Sequence, residues 1–355
     1  SFELNYFDKL IVIFFIYILL VAFLNYFGEK DVERNSQIVI KSILFLRFIL
    51  LYFILRFLIN ENIINFSIFY LVCSLSVLFV ALDIIYQFYN GFDIFGFEGN
   101  ARRLGGPFGS EKIAGSYLQR FSFLLLFSFF CFTFFKKLSS KQNIILFLIA
   151  SIVVIFGLIY AGNRMPFFMF LFTCFLIFVF KKEVRIQFII VFFFSIGILL
   201  VLYNSNLEIK KHYGHFQTKV EDFFQSFSSE NLVNNSQETQ KSFDQKNYII
   251  QFNDKNYRMT STHVKDFFSG ISTWRSKPLF GGGVKTFKYN CPKVFYNCTT
   301  HPHNYYLEIL ADLGIFGLIL VMLVFFLLVK KAIFSTNYYI GPFIYVFISE
   351  IFPLK

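Results

Sequence analysis

Charge is scarce in this chain. Only 15% of its 355 residues are Asp, Glu, Lys or Arg, against about 25% in an ordinary soluble domain. The hydrophobic fraction is 56% and the mean hydropathy is +0.59. So few polar residues cannot wrap a soluble core of this size, which excludes a water-soluble globular fold. The long apolar runs lack the polar alternation of a barrel strand, which excludes a membrane β-barrel. No recognised nucleic-acid module is present, so the net charge of +11 does not point to nucleic acid. No Gly-Lys-Ser/Thr follows the triplet Gly281-Gly282-Gly283, which excludes a phosphate loop. No internal repeat and no cleavable signal peptide are evident.

What the chain has instead is phenylalanine, 57 residues of it, in long runs with Ile, Leu and Val. Such runs face solvent only where the solvent is lipid. A span requires about 20 residues, and about nine runs approach that length: 10–27, 38–59, 63–89, 117–135, 144–161, 165–180, 186–203, 305–329 and 338–355. Helix is the form that satisfies the backbone inside hydrocarbon. The expected fold is therefore all-α, a polytopic transmembrane helical bundle with one large external, mainly helical loop domain. The expected organisation is seven spans over 1–203, the loop domain over 204–304, and two spans over 305–355. The chain opens on Ser1 and closes at Lys355 in or just after an apolar run. Both ends read as edges of a longer chain.

Cations set the expected orientation. Lys136, Lys137 and Lys141, then Lys181, Lys182 and Arg185, then Lys330 and Lys331 cluster in short loops separated by even numbers of spans. The positive-inside rule puts all three on the cytoplasmic side. The loops at 28–37, 90–116, 162–164 and 204–304 then lie outside. Arg47 falls in the middle of the second run, where it must face protein or a wet cavity; Asp83 is a candidate partner. Arg56 is expected to snorkel toward the turn at Asn60–Asn62.

The stretch 204–304 is too long to be a mere connection. Ile209, Tyr213, Phe216, Val220, Phe223 and Phe227 recur at helical spacing and predict an amphipathic helix. Residues 228–246 read as a polar linker. Tyr248 to Phe252 and Tyr257 to Thr262 flank Asn253-Asp254-Lys255-Asn256 and predict a β-hairpin. A second amphipathic helix is predicted near 263–276, with Val264, Phe267, Phe268, Ile271 and Trp274 on its apolar face, ending before Pro278. Cys291 and Cys298 are the cysteines outside the runs. A disulfide between them is the favoured reading on an oxidising side of the membrane. Zinc, with His301 and His303 nearby, is the rival, and the spacing matches no established zinc pattern.

Three clusters fall on the same expected side. They are Arg102-Arg103-Leu104-Gly105-Gly106-Pro107-Phe108-Gly109, the turn Ala161-Gly162-Asn163-Arg164-Met165-Pro166, and His301-Pro302-His303-Asn304-Tyr305-Tyr306-Leu307-Glu308 leading into a span. Arg binds phosphate oxygens in fork geometry. His can take a proton from a hydroxyl near neutrality, and a helix N-terminus adds a positive dipole end. Together they suit an anionic substrate held at the membrane surface. Basic residues at interfaces also bind lipid headgroups, and membrane lipids are expected partners in any case.

The last third of the chain resembles the O-antigen ligase/O-antigen polymerase family of bacterial membrane glycosyltransferases. The resemblance rests on Pro278-Leu279-Phe280-Gly281-Gly282-Gly283, a short insert, and His301-Pro302-His303-Asn304 followed by the Leu-rich helix through Asp312, Gly314 and Gly317. The Arg102–Gly109 segment and the Asn163-Arg164 turn resemble two earlier elements. The resemblance implies an inverting glycosyltransferase of the bacterial inner membrane that uses neither cofactor nor metal. It implies a glycan donor on undecaprenyl pyrophosphate and, for a ligase, a lipid A-core or other glycan acceptor in lipopolysaccharide biosynthesis. Arg164 and Arg102 or Arg103 would hold the pyrophosphate. His303, with His301 second, would act on the acceptor hydroxyl. Where many relatives have an Arg before the glycine element this chain has His263, with Arg258 upstream, and these are additional candidates. A polymerase would use the same motifs. A transporter or flippase of lipid-linked sugar is the rival from another class; it predicts polar or broken helices near the midplane and, often, internal repeats. An assembly partner with a degenerate site is a third reading.

Overall fold

The computed structural model describes residues 4–28, 32–99, 103–132, 139–210, 213–214, 248–252, 255–259, 262–295, 298–333 and 337–351. Arg102, Lys136, Lys137, the linker 228–246 and most of the first predicted amphipathic helix beyond Tyr213 lie outside the described residues. The chain divides into two compact units. One comprises Ser1–Glu61, Gln217–Leu328 and Pro353–Lys355; the other comprises Asn62–Phe216 and Val329–Phe352.

The first unit holds α1 (Tyr6–Gly28), α2 (Val32–Leu44) and α3 (Leu46–Asn60), followed in sequence by the antiparallel strands β1 (Tyr248–Phe252) and β2 (Lys255–Met259). The helix α9 (Thr262–Ser276), the short α10 (Phe287–Asn290) and most of the long α11 (Tyr305–Ile333) complete it. The hairpin register pairs Phe252 with Lys255, so the second strand starts two residues earlier than the sequence suggested. α2 and α3 form one 26-residue apolar stretch, Asn35–Asn60, interrupted at Phe45. Arg56 does not simply snorkel. Its guanidinium pairs with the fully buried Asp8 carboxylate, which also accepts the Tyr52 hydroxyl at 2.7 Å. A carboxylate and a guanidinium on neighbouring helices satisfy one another in apolar surroundings. Arg47 lies exposed on α3 with its guanidinium over the Phe48 ring at 4.8 Å.

The second unit is the larger aromatic core. It contains α4 (Phe66–Asn90), α5 (Ala114–Cys131), α6 (Ser140–Tyr160), α7 (Arg164–Phe180), α8 (Arg185–Ser205) and α12 (Gly341–Glu350). Phe123, Phe127, Phe167, Phe170 and Phe188 are fully buried between these helices. Phe123 meets Phe170 at 5.1 Å between ring centroids, and Phe127 meets Phe188 at 5.4 Å. Tilted ring contacts of this kind add to the burial of the rings themselves. Small residues set the close crossings. A Cβ on Gly157 of α6 would stand 3.0 Å from the Ala81 backbone of α4, and the Ser74 and Ser128 hydroxyls meet at 3.0 Å between α4 and α5. Asp83 accepts the Ile94 N–H at 2.9 Å within this unit.

Among the described residues six helices are long and apolar enough to cross a membrane: Tyr6–Gly28, Asn35–Asn60, Phe66–Asn90, Lys141–Tyr160, Lys182–Ser205 and Tyr305–Lys331. The other three expected spans are also helical. α5 carries Gln119 and Arg120 in its first turns, α7 has 17 residues and α12 has 10. Large apolar side chains stand exposed along the candidate spans, among them Phe27, Phe193, Val201 and Phe326. The protein is thus a helical membrane bundle.

Candidate functional site

The His-Pro-His-Asn element sits at the start of α11. Asn304 caps that helix: its side-chain oxygen accepts the Tyr306 and Leu307 N–H groups at 3.0 and 3.1 Å. The cap satisfies donors that a helix N-terminus otherwise leaves unpaired. His303 adopts φ +50, a left-handed backbone that few non-glycine residues take. The turn brings the His301 and His303 rings to 4.1 Å between centroids. His301 Nδ1 lies 3.0 Å from the Thr300 hydroxyl.

α9 forms the floor beneath this element, and not with the face its sequence suggested. Phe267 is exposed and Phe268, Ile271 and Trp274 are half-buried. The buried face is Lys265, Asp266, Ser269, Gly270 and Thr273. Ser269 and Thr273 return their hydroxyls to the carbonyls of Asp266 and Ser269, each at 2.7 Å. The aromatic face can lie against lipid, whereas a small polar face allows backbones to approach closely. A Cβ on Gly270 would stand 2.9 Å from Leu307 and 3.2 Å from Pro302. One turn earlier, Asp266 Oδ2 lies 4.0 Å from His303 Nε2.

The glycine element explains itself through α11. That helix breaks at Gly314, with φ 68 and ψ −171. A break strands backbone groups that hydrocarbon cannot satisfy. Here the segment after α9 splints it from one side. Gly282 and Gly283 donate to the Ala311 and Asp312 carbonyls at 2.9 and 2.8 Å, and Ile315 donates to the Pro278 carbonyl at 2.9 Å. Tyr17 of α1 donates to the Leu313 carbonyl at 2.6 Å. The Asp312 side chain, 6% exposed, accepts the Lys285 N–H at 2.7 Å and the Thr286 N–H at 3.2 Å. Lys285 Nζ donates to Glu308 at 2.7 Å. That hydrogen bond holds the Lys285 ammonium above its ordinary range, against partial desolvation and with help from the Glu308 and Asp312 charges. Cys291 and Cys298 are joined, with their Cα atoms 6.0 Å apart, and Cys291 packs against Phe287 and Ala311.

The arginines belong to the other unit. Arg164 is the first residue of α7, half-buried, after Gly162 at φ 69. Arg103 is exposed, and the residue after it, Leu104, donates its N–H to the Ala161 carbonyl at 3.3 Å. Asn163 donates to the Lys112 carbonyl at 3.1 Å, and a Cβ on Gly115 would strike Asn163 at 2.8 Å. The first two sequence clusters are therefore in contact. The starts of α5 and α7 lie side by side there, and neither carries a side-chain cap. Helix N-termini with free N–H groups favour anions. Tyr213 packs its ring on Phe167 at 6.1 Å. Burial pushes its phenol well above the ordinary range, and the nearby Arg164 charge opposes that shift.

The structure thus brings His301 and His303 together in one unit, and the Arg103 and Arg164 segments together in the other. Arg258 lies on β2 and His263 in the first turn of α9. Asp266 and Lys285 were missed by sequence reasoning. Asp266 sat on what read as the solvent face of an amphipathic helix. The His at one end of a short insert and the Asp before the glycines carry no joint pattern that would have paired them.

Residues 149–322 match the family model described as O-Antigen ligase. The matched stretch takes in the Asn163-Arg164 turn, the glycine element and His301 through Gly317, and leaves out Arg102 and Arg103. No curated protein matches the chain.

Proposed function

We propose that this chain, which belongs to the O-antigen ligase family through residues 149–322, transfers a glycan from undecaprenyl pyrophosphate to an acceptor hydroxyl as an O-antigen ligase in lipopolysaccharide biosynthesis. The observation that carries the reading is the histidine pair, rings 4.1 Å apart at the capped start of α11, within the matched family region.

In this reading the acceptor oxygen attacks the anomeric carbon of the first sugar. The bond from that carbon to the pyrophosphate oxygen breaks, its electron pair leaves with the oxygen, and the configuration inverts. His303 takes the acceptor proton, with His301 beside it. Arg164, with Arg102 or Arg103, neutralises the charge on the pyrophosphate. Arg258 and His263 stand as additional contacts. The uncapped starts of α5 and α7 support an anion at Arg164. No metal or cofactor is assigned a step. The protein would lie in the inner membrane, with 204–304 on the periplasmic side and lipid A-core or another glycan as acceptor.

The test is transfer in detergent, with native lipid-linked glycan as donor and lipid A-core as acceptor. Wild type is expected to make product, and His303→Ala to lose about 100-fold or more of the rate. Arg164→Lys should also fail, since an ammonium cannot reproduce the guanidinium fork. Normal turnover in both variants overturns the assignment. Product made of joined repeat units, without lipid A-core, would make the enzyme a polymerase. Passage of the donor across a liposome with no product would make the protein a transporter.

A further inference from the structure

The buried polar face of α9 has a feature that packing alone does not require. Asp266 is 3% exposed, a position where a carboxylate is costly without partners. The Thr299 hydroxyl stands 3.1 Å from Asp266 Oδ1 and 2.8 Å from the His301 carbonyl, so it ties the carboxylate to the histidine turn. The other carboxylate oxygen, Oδ2, faces His303 Nε2 at 4.0 Å. The approach is built in twice. Gly270, one turn along the same face, lets α9 close onto Pro302 and Leu307, and the positive φ of His303 turns that residue out of the regular backbone that follows it. The His303 side chain remains 47% exposed, so its other edge can meet a substrate.

We propose that Asp266 is the positioning residue of His303: its carboxylate holds the proton on Nε2, which leaves the Nδ1 lone pair to receive the acceptor hydroxyl proton. The inference rests on the reading of His303 given above. The same carboxylate offsets the positive charge that the ring acquires when that proton arrives. The distance is longer than a hydrogen bond, and such contacts commonly tighten when substrate binds. The Thr299 hydroxyl meets the other carboxylate oxygen, Oδ1. A ring held through Nε2 presents one nitrogen in one orientation, which is what proton transfer in a transition state demands.

The test compares variants of the full chain in the same transfer assay with native lipid-linked glycan. Asp266→Asn keeps the shape and an acceptor for Thr299 but removes the charge. It is expected to lower kcat about 100-fold or more, with KM for the donor and the melting temperature unchanged. Asp266→Glu should recover at least about tenfold of that loss, since the charge returns. The double variant Asp266→Asn/His303→Ala should be no slower than His303→Ala alone, because groups that act as a unit are not additive. Should Asp266→Asn fail to fold, Thr299→Val carries the test, with an expected fall in kcat of about tenfold at unchanged KM. Wild-type kcat in Asp266→Asn, or in Thr299→Val where that is the variant that folds, overturns the inference and leaves the reading of His303 standing. Full additivity in the double variant does the same. Wild-type kcat in His303→Ala overturns both.

Discussion

Gly314→Ala tests whether the break in α11 is a requirement of the fold. Gly314 has φ 68 and ψ −171, a region that only glycine enters freely. Holding another residue there costs about 1–3 kcal/mol. The added methyl would also stand 2.1 Å from the Leu279 carbonyl oxygen and 2.6 Å from the Phe280 nitrogen. Those atoms belong to the backbone that splints the break, so they cannot rotate aside as a side chain could. Overpacking of this kind costs a further ~1–3 kcal/mol. The two contributions have separate causes, and their sum is about 2–6 kcal/mol. Gly197 of α8 is the internal control. It lies inside a helix with nothing within 4 Å of the position of a Cβ, so Ala there should stabilise by about 0.5–1 kcal/mol. Thermal unfolding of the purified protein in one detergent should show the first variant well below wild type and the second at or above it. Gly314→Ala melting level with Gly197→Ala would refute the argument that glycine is needed at the break.

Asn304→Ala removes the cap of α11 and should destabilise by about 0.5–2 kcal/mol, with transfer falling further than stability because the cap adjoins His303; equal loss in Asn304→Ala and an uninvolved surface control would sink this. Replacing Cys291 and Cys298 together by Ser opens a bridge of sequence separation 7 and should cost about 2–3 kcal/mol, seen as a lower melting temperature that reductant no longer changes. Lys285 titrates above its ordinary value of 10.5 because of its bond to Glu308. The stability it contributes is therefore complete below that ordinary value and is lost as pH rises through the raised one. Lys285→Met should show a small deficit in melting temperature at pH 7 and at pH 9, shrinking toward strongly alkaline pH; a deficit that grows with pH would contradict the sign. The deficit stays small because the Lys285 side chain is 66% exposed and screened by solvent.

The amino-acid sequence by itself determined the class of the protein. Fifteen per cent charge and 57 phenylalanines leave lipid as the solvent for most of the helices, because hydrophobic length and composition are local properties. It also carried the family pattern, since Pro278 to Gly283 and His301 to Gly317 are contiguous strings. What a string cannot show is which polar groups meet. Tertiary structure decided that α9 buries Asp266, Ser269, Gly270 and Thr273 while Phe267 stays exposed and Phe268, Ile271 and Trp274 are half-buried. A rule that buries apolar faces assumes water as the surroundings, and the surroundings of a membrane protein are partly lipid. Tertiary structure also decided why the glycines stand where they do. Gly282 and Gly283 lie about 30 residues before the break they splint, yet they supply N–H groups to the Ala311 and Asp312 carbonyls. The same holds for Asp266 and His303, separated by a disulfide-bridged insert in the chain and by 4.0 Å in space. Backbone satisfaction inside an apolar medium and the approach of a carboxylate to an imidazole are conditions on distance, and distance is set only when the helices pack.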